Sequence, residues 1–164
     1  MKRIRWSTAA FQAGAVAWAL AIPLAAVVLG RQPEAGPSRV AASLVYAAGA
    51  VVCHQKPERS FLLAGQPLPV CARCTGVYIG AAIAAVALAG GPVVVRRRRV
   101  SPWDARRARR VGLVALLPTL ATLAWEWTVG TTPSNAVRAA AGLPIGAVVA
   151  WIVWRTLRPD GQSR

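Results

Sequence analysis

Four stretches of the chain, Ser7 to Leu29, Thr75 to Val95, Val111 to Val129 and Ser134 to Trp154, are apolar with at most one charged side chain each. Each has the ~20 residues that a helix needs to cross ~30 Å of hydrocarbon. A fifth stretch, Val40 to Val52, is apolar for only 13 residues before Cys53 and His54. That length suits a short span, a re-entrant half-helix or an interfacial helix. The Pro- and Gly-containing segment Pro57 to Pro69 belongs at or above the membrane boundary, because irregular backbone at membrane depth is tolerated only where protein or water covers it. The pattern predicts an all-α polytopic membrane helix bundle of four spans plus one short or re-entrant helix, or of five spans if that helix crosses.

Local signals mark the ends of these elements. Ser101-Pro102-Trp103-Asp104 offers a Ser cap, Pro at the first helical position and an acid in the first turn. The helix is expected to start there, run basic through Arg110 and bend at Pro118. Thr132-Pro133 is expected to begin the last helix in the same way. Gly76, Gly80 and Ala84, like Gly142, Gly146 and Ala150, recur every four residues as small-residue faces that let helices approach closely. The apolar run behind Lys2, Arg3 and Arg5 is longer than the ~7–15 residues of a signal sequence, and no small-x-small cleavage site follows it. It reads as a retained anchor. The chain thus divides into an anchor and loop (1–39), a Cys/His segment with the following span (40–95), a basic loop (96–110) and a carboxy-terminal helical hairpin with its tail (111–164).

Composition agrees: 55% of the 164 residues are hydrophobic and only 15% charged, against ~25% charged in an ordinary soluble domain. This excludes a soluble enzyme with a polar shell, and it excludes disorder. The net charge of +15 brings nucleic acid to mind, but eight of the 20 basic residues lie in one run between two apolar segments, Arg96 to Arg110. That run reads as a cytoplasmic topology signal in contact with anionic lipid, with no nucleic-acid partner. With it inside, Thr75 and the turn Gly130 to Pro133 both fall on the non-cytoplasmic face of the cell membrane. The amino terminus is expected inside, with Val40 to Val52 not crossing; a crossing changes the basic-residue balance by only one.

All three cysteines and the one histidine fall within 22 residues, as Cys53-His54 and Cys71-x-x-Cys74. Three thiolates and an imidazole form a tetrahedral zinc set, and softer copper(I) also accepts thiolates. Using both Cys53 and His54 requires the helix before them to end there, as Pro57 suggests. The alternative is a disulfide between Cys71 and Cys74, structural or redox-active, with Cys53 odd or resolving. His54 then satisfies only a backbone carbonyl.

Charges inside the spans are the second signal. Glu126 lies four residues before Gly130 and Arg138 four after Ser134, so both sit about 6 Å below the same turn. Such ions are costly unless paired, and they mark either function or an ion pair locking two helices. Arg59, Arg73 and Asn135 belong to the same layer. A phosphate or carboxylate group meeting Arg59, Arg73 and Arg138 would suit a transporter or lipid-modifying protein; snorkelling is the plainer reading of such arginines. No phosphate-binding Gly loop, serine triad or nucleotide fingerprint is present.

The run Cys53-His54-Gln55-Lys56-Pro57-Glu58-Arg59-Ser60-Phe61, with Leu68-Pro69-Val70-Cys71-Ala72-Arg73-Cys74-Thr75-Gly76-Val77-Tyr78-Ile79-Gly80, resembles a family of small prokaryotic integral membrane proteins of unassigned function. That family carries a CHQxPxRSF…PxCxRCTGxYxG signature. Ser134-Asn135-Ala136-Val137-Arg138 with Gly142 and Gly146 is similar to its second motif. The sequence departs from it at Ala140-Ala141, where a Thr is expected. The resemblance spans roughly residues 50 to 150, leaves the anchor outside and marks Tyr78 with the others as shared. It implies a membrane protein and no particular reaction.

Overall fold

The computed structural model describes residues 2–31, 36–89 and 105–157. Arg96–Arg99, the Ser101–Asp104 cap and the end of the second predicted span at Gly90–Val95 lie outside the described residues. Among the described residues five α-helices form: α1 (Lys2–Arg31), α2 (Pro37–Val52), α3 (Ala72–Ala89), α4 (Ala105–Val129) and α5 (Asn135–Thr156). All but α2 are long and apolar enough to cross a membrane. Their outward positions, such as Leu24, Ile83, Val114 and Leu117, are exposed, as expected where acyl chains replace a protein partner. Helices α1, α4 and α5 run unbroken through Pro23, Pro118 and Pro144.

The last helix starts two residues later than the Thr132-Pro133 pair suggested. Ser134 is the cap, with an extended ψ of 154° and its hydroxyl accepting from the Val137 N–H at 3.4 Å. Ser134 takes the cap position expected of Thr132, so Pro133 stays outside the helix.

The direction of the helices fixes the side on which α2 ends. Gln12 Nε2 donates to the Ala85 carbonyl, and Trp18 meets Tyr78 edge-on with centroids 5.9 Å apart. Further along α1, Ile22 and Ala26 pack against Val70 and Cys53, beside the start of α3. Helices α1 and α3 are therefore antiparallel neighbours. Had α2 crossed, they would be parallel. It leaves and returns at one end of the bundle, and its exposed Val40, Leu44 and Val51 do not need a crossing to be covered by lipid.

Helices α3 and α5 run parallel with backbones in contact. A Cβ at Gly76 would fall on the Ala139 carbonyl, and one at Gly146 on that of Val77. Lipid offers no hydrophobic drive between helices, so close van der Waals approach holds such a pair, and glycine makes it possible. Helix α4 folds back antiparallel on α5, with the Thr119 hydroxyl donating to the Ala141 carbonyl at 2.8 Å. Gly130, at φ +71°, ends α4.

Between α2 and α3 the chain makes a single 3-10 turn (Pro57–Arg59) and a two-stranded hairpin, β1 (Leu62–Leu63) and β2 (Gln66–Pro67), antiparallel with Leu63 opposite Gln66. Its loop, Ala64-Gly65, has φ values of +51° and +78°, the pair of positive angles that the twist of a tight hairpin favours. The segment satisfies its own backbone: Leu68 N–H donates to the Phe61 carbonyl and Ser60 Oγ to that of Lys56. Asn135 Nδ2 reaches across from α5 to the Ser60 carbonyl at 2.9 Å. Irregular backbone at the end of a membrane bundle persists only with such partners.

Candidate functional site

Two groups of side chains meet at the end of the bundle where α2 closes and α3 and α5 begin. The first is the thiols. Helix α2 stops at Val52 and Cys53 is extended (φ −145°, ψ 143°). Gln55 takes a left-handed φ of +47°, uncommon for a residue with a Cβ. In that turn its Nε2 donates to the carbonyls of Tyr46 (2.7 Å) and Pro69 (2.8 Å), tying the end of α2 to the approach of α3. Cys53 is thereby brought against Cys71, whose backbone N–H donates to the Cys53 sulfur at 3.2 Å. Cys74, one turn on, completes a set of three sulfurs within 4.8 Å of one another.

All three cysteines are free. The set lies in an apolar nest of Ile22, Ala26, Leu68 and Val70, with Trp18, Phe61 and Tyr78 packed around it. Cys71 gives its carbonyl to the first turn of α3 (Thr75 N–H, 2.9 Å). Its thiol is lowered to about 5, first by the hydrogen bond from the Cys74 thiol, with burial opposing. His54 is not part of the sulfur group. Successive side chains on extended backbone point to different sides, so Cys53 turns inward and His54 stays exposed at the rim of a neighbouring cavity.

Three sulfurs fit a thiolate-binding metal. At a zinc–sulfur distance of about 2.3 Å, tetrahedral angles place sulfurs about 3.8 Å apart, so a set within 4.8 Å needs only a small contraction. The Cys71 N–H on Cys53 is the hydrogen bond that a charged sulfur requires when water is excluded.

The second group is built on Glu126, whose side chain is 7% exposed. Arg138, 3% exposed, donates from Nε and Nη2 to its Oε1 at 3.0 and 2.9 Å. Arg73 Nη2 reaches the same oxygen at 3.2 Å and the Thr122 hydroxyl at 3.0 Å. Arg59 Nη1 stands 3.8 Å from Oε2. Thr122 and Thr119 are four and seven residues before Glu126, on one helix face, a spacing by which the sequence could have given them up. Gln55 carried no such signal. Asn135 and Tyr78 hold neighbouring elements in place, and neither lines the cavity.

That cavity, of about 290 Å³, joins the two groups: Cys53 and Cys71 form one wall, and Lys56, Arg59, Arg73 and Arg138 the other, with His54 at the rim. Lys56 is a lining residue that the sequence did not single out.

Comparison with known proteins places the chain among uncharacterised relatives. It is 60% identical over 30 residues to an uncharacterized protein of Methanothermobacter thermautotrophicus, covering 18% of this chain and 27% of that one. It is 50% identical over 36 residues to one of Methanocaldococcus jannaschii, covering 22% and 23%. The chain thus matches about a quarter of the length of these curated relatives. No solved structure matches it. A family model described as "Predicted membrane protein (DUF2085)" matches residues 53–152. That stretch begins at the first cysteine of the site and takes in every thiol, Glu126 and all the arginines around it, and on this match over more than half its length the chain belongs to that family of membrane proteins.

Proposed function

We propose that this multi-pass membrane protein binds a thiolate-preferring metal ion, zinc before copper, through Cys53, Cys71 and Cys74 on the non-cytoplasmic side of the cell membrane. The observation that carries the reading is the convergence of three sulfurs from two separate stretches of chain within 4.8 Å. Three thiolates around a divalent ion leave one negative charge, and the lysine and arginines of the adjoining cavity offset it. Three protein ligands also leave one coordination position for water or another ligand, as in zinc sites that bind or transform a small molecule. The metal would supply Lewis acidity there. The chain's own residues hold the sulfurs in place, exclude water on the side of Ile22 and Val70, and set a positive potential.

The test is elemental analysis of detergent-purified protein with a free-thiol count under denaturing conditions. The expected result is about one zinc or copper per chain, absent from Cys71→Ser/Cys74→Ser. Metal-free protein with a single free thiol would overturn the reading. It would favour a second one, a thiol–disulfide centre in which Cys71 and Cys74 cycle and Cys53, already in contact, resolves. The sulfur distances support that chemistry as well.

A further inference from the structure

We infer that the 290 Å³ cavity beside the thiols is a binding site for a phosphomonoester-type dianion, the group carried by inorganic phosphate and by a phosphatidate headgroup. The inference goes beyond the metal reading and does not rest on it. Among the described residues the acids are Glu58 and Glu126. Glu58 is exposed and lines no part of the cavity. Lys56, Arg59, Arg73 and Arg138 all line it, so Glu126 and the one negative charge of the sulfur wall neutralise two of four cations, and an excess of two positive charges remains.

The carboxylate is also used unevenly. Arg138 and Arg73 crowd Oε1, while Arg59 stands 3.8 Å from Oε2, beyond hydrogen-bonding distance. Arg73 Nε is buried with no hydrogen-bond partner. A buried guanidinium donor without an acceptor is costly, and an oxyanion in the adjoining cavity would set a counter-charge beside it. Helices α3 and α5 run parallel and both begin here, adding the positive ends of two helix dipoles. Guanidinium groups from three separate segments suit an oxyanion, and the excess charge favours a dianion over a monoanion. Lys56 at the exposed edge is the first cation that an entering anion meets.

The experiment uses delipidated protein in neutral detergent, titrated with inorganic phosphate against chloride at equal ionic strength and followed by 31P line broadening and melting temperature. A second arm compares nanodiscs of phosphatidylcholine with nanodiscs containing phosphatidate. Saturable phosphate binding that falls on the order of tenfold in Lys56→Ala/Arg59→Ala supports a free oxyanion as occupant. Stabilisation by phosphatidate alone, lost in the same variant, supports a lipid headgroup. Should the double variant not fold, Lys56→Gln replaces it, with an expected loss of about threefold. Binding of neither probe, or binding undiminished in the variant, overturns the assignment. Repeating the titration on Cys71→Ser/Cys74→Ser separates the two readings. Phosphate binding kept there leaves the anion site standing whatever the metal analysis gives, and binding lost there would assign the phosphate to the metal and overturn the cation cavity.

Discussion

Arg138 donates from two nitrogens to a single oxygen of Glu126, at 3.0 and 2.9 Å, with both side chains almost fully enclosed. The pair closes the α4–α5 hairpin about one turn below its tip, where a lone charge would be largely enclosed by protein and poorly solvated. Removing either partner strands the other, at a cost of ~3–5 kcal/mol for a buried pair. Glu126→Gln is the worse of the two changes, since Arg73 and Arg59 also lose their counter-charge. The double variant Glu126→Gln/Arg138→Met should melt higher than the sum of the single losses implies. Arg138→Lys should not restore stability, because an ammonium cannot present two fixed donors to one oxygen. Additive melting shifts in detergent would mean that the pair is not the lock.

A different set of substitutions isolates the α3–α5 seam. Gly76→Ala and Gly146→Ala would drive a methyl into the backbone of the facing helix, at Ala139 and Val77. The expected loss is ~1–3 kcal/mol each, and larger side chains should cost more. Gly14 and Gly112 lie inside α1 and α4 with nothing within 4 Å of a built Cβ. Alanine there should be neutral or stabilise by up to ~1 kcal/mol through helix propensity. Four melting curves decide it, and an equal response at all four positions would remove packing as the explanation.

The spans were legible because length and apolarity alone decide them. Glu126 and Arg138 could be brought together by counting turns from Gly130 and Ser134, since a hairpin of two straight helices leaves no freedom in that register. The thiol set was half legible. Spacing placed Cys71 and Cys74 together and composition pulled in Cys53, but the backbone at Cys53 separates His54 from the sulfurs. Nothing in a sequence reports a left-handed φ at Gln55 or the two carbonyls its amide would find. The hairpin at Leu62–Pro67 was hidden for a related reason: two residues per strand are too few to show a period.

The antiparallel packing of α1 on α3 carries a prediction about sides. With α2 returning to the end it left, both termini lie on one face of the membrane, and the hairpin at Ala64-Gly65 and the turn at 131–133 lie on the other. Short epitope insertions at those two turns should be reached together by an antibody applied to intact spheroplasts. Tags at either terminus should need permeabilised cells. An amino-terminal tag exposed together with the hairpin tag would mean that α2 crosses.

Cys71 gives a pH-dependent prediction that needs no metal. An ordinary thiol near pH 8.5 is only a few per cent thiolate at neutral pH. With Cys71 lowered to about 5 by its hydrogen bond from Cys74, the thiolate already predominates at pH 6 and is lost only as pH falls through the lowered pKa. In reduced, chelator-treated protein, alkylation of Cys71 by iodoacetamide should therefore be flat from pH 6 to 8 and fall about tenfold per unit below pH 5. Its plateau should lie below that of a free thiol, because nucleophilicity declines with basicity. Cys74→Ala removes the donor, so the midpoint should rise towards the ordinary thiol range. Peptide mapping by mass spectrometry reads the residue directly, and an unshifted midpoint in Cys74→Ala would mean that the neighbouring sulfur is not what lowers it.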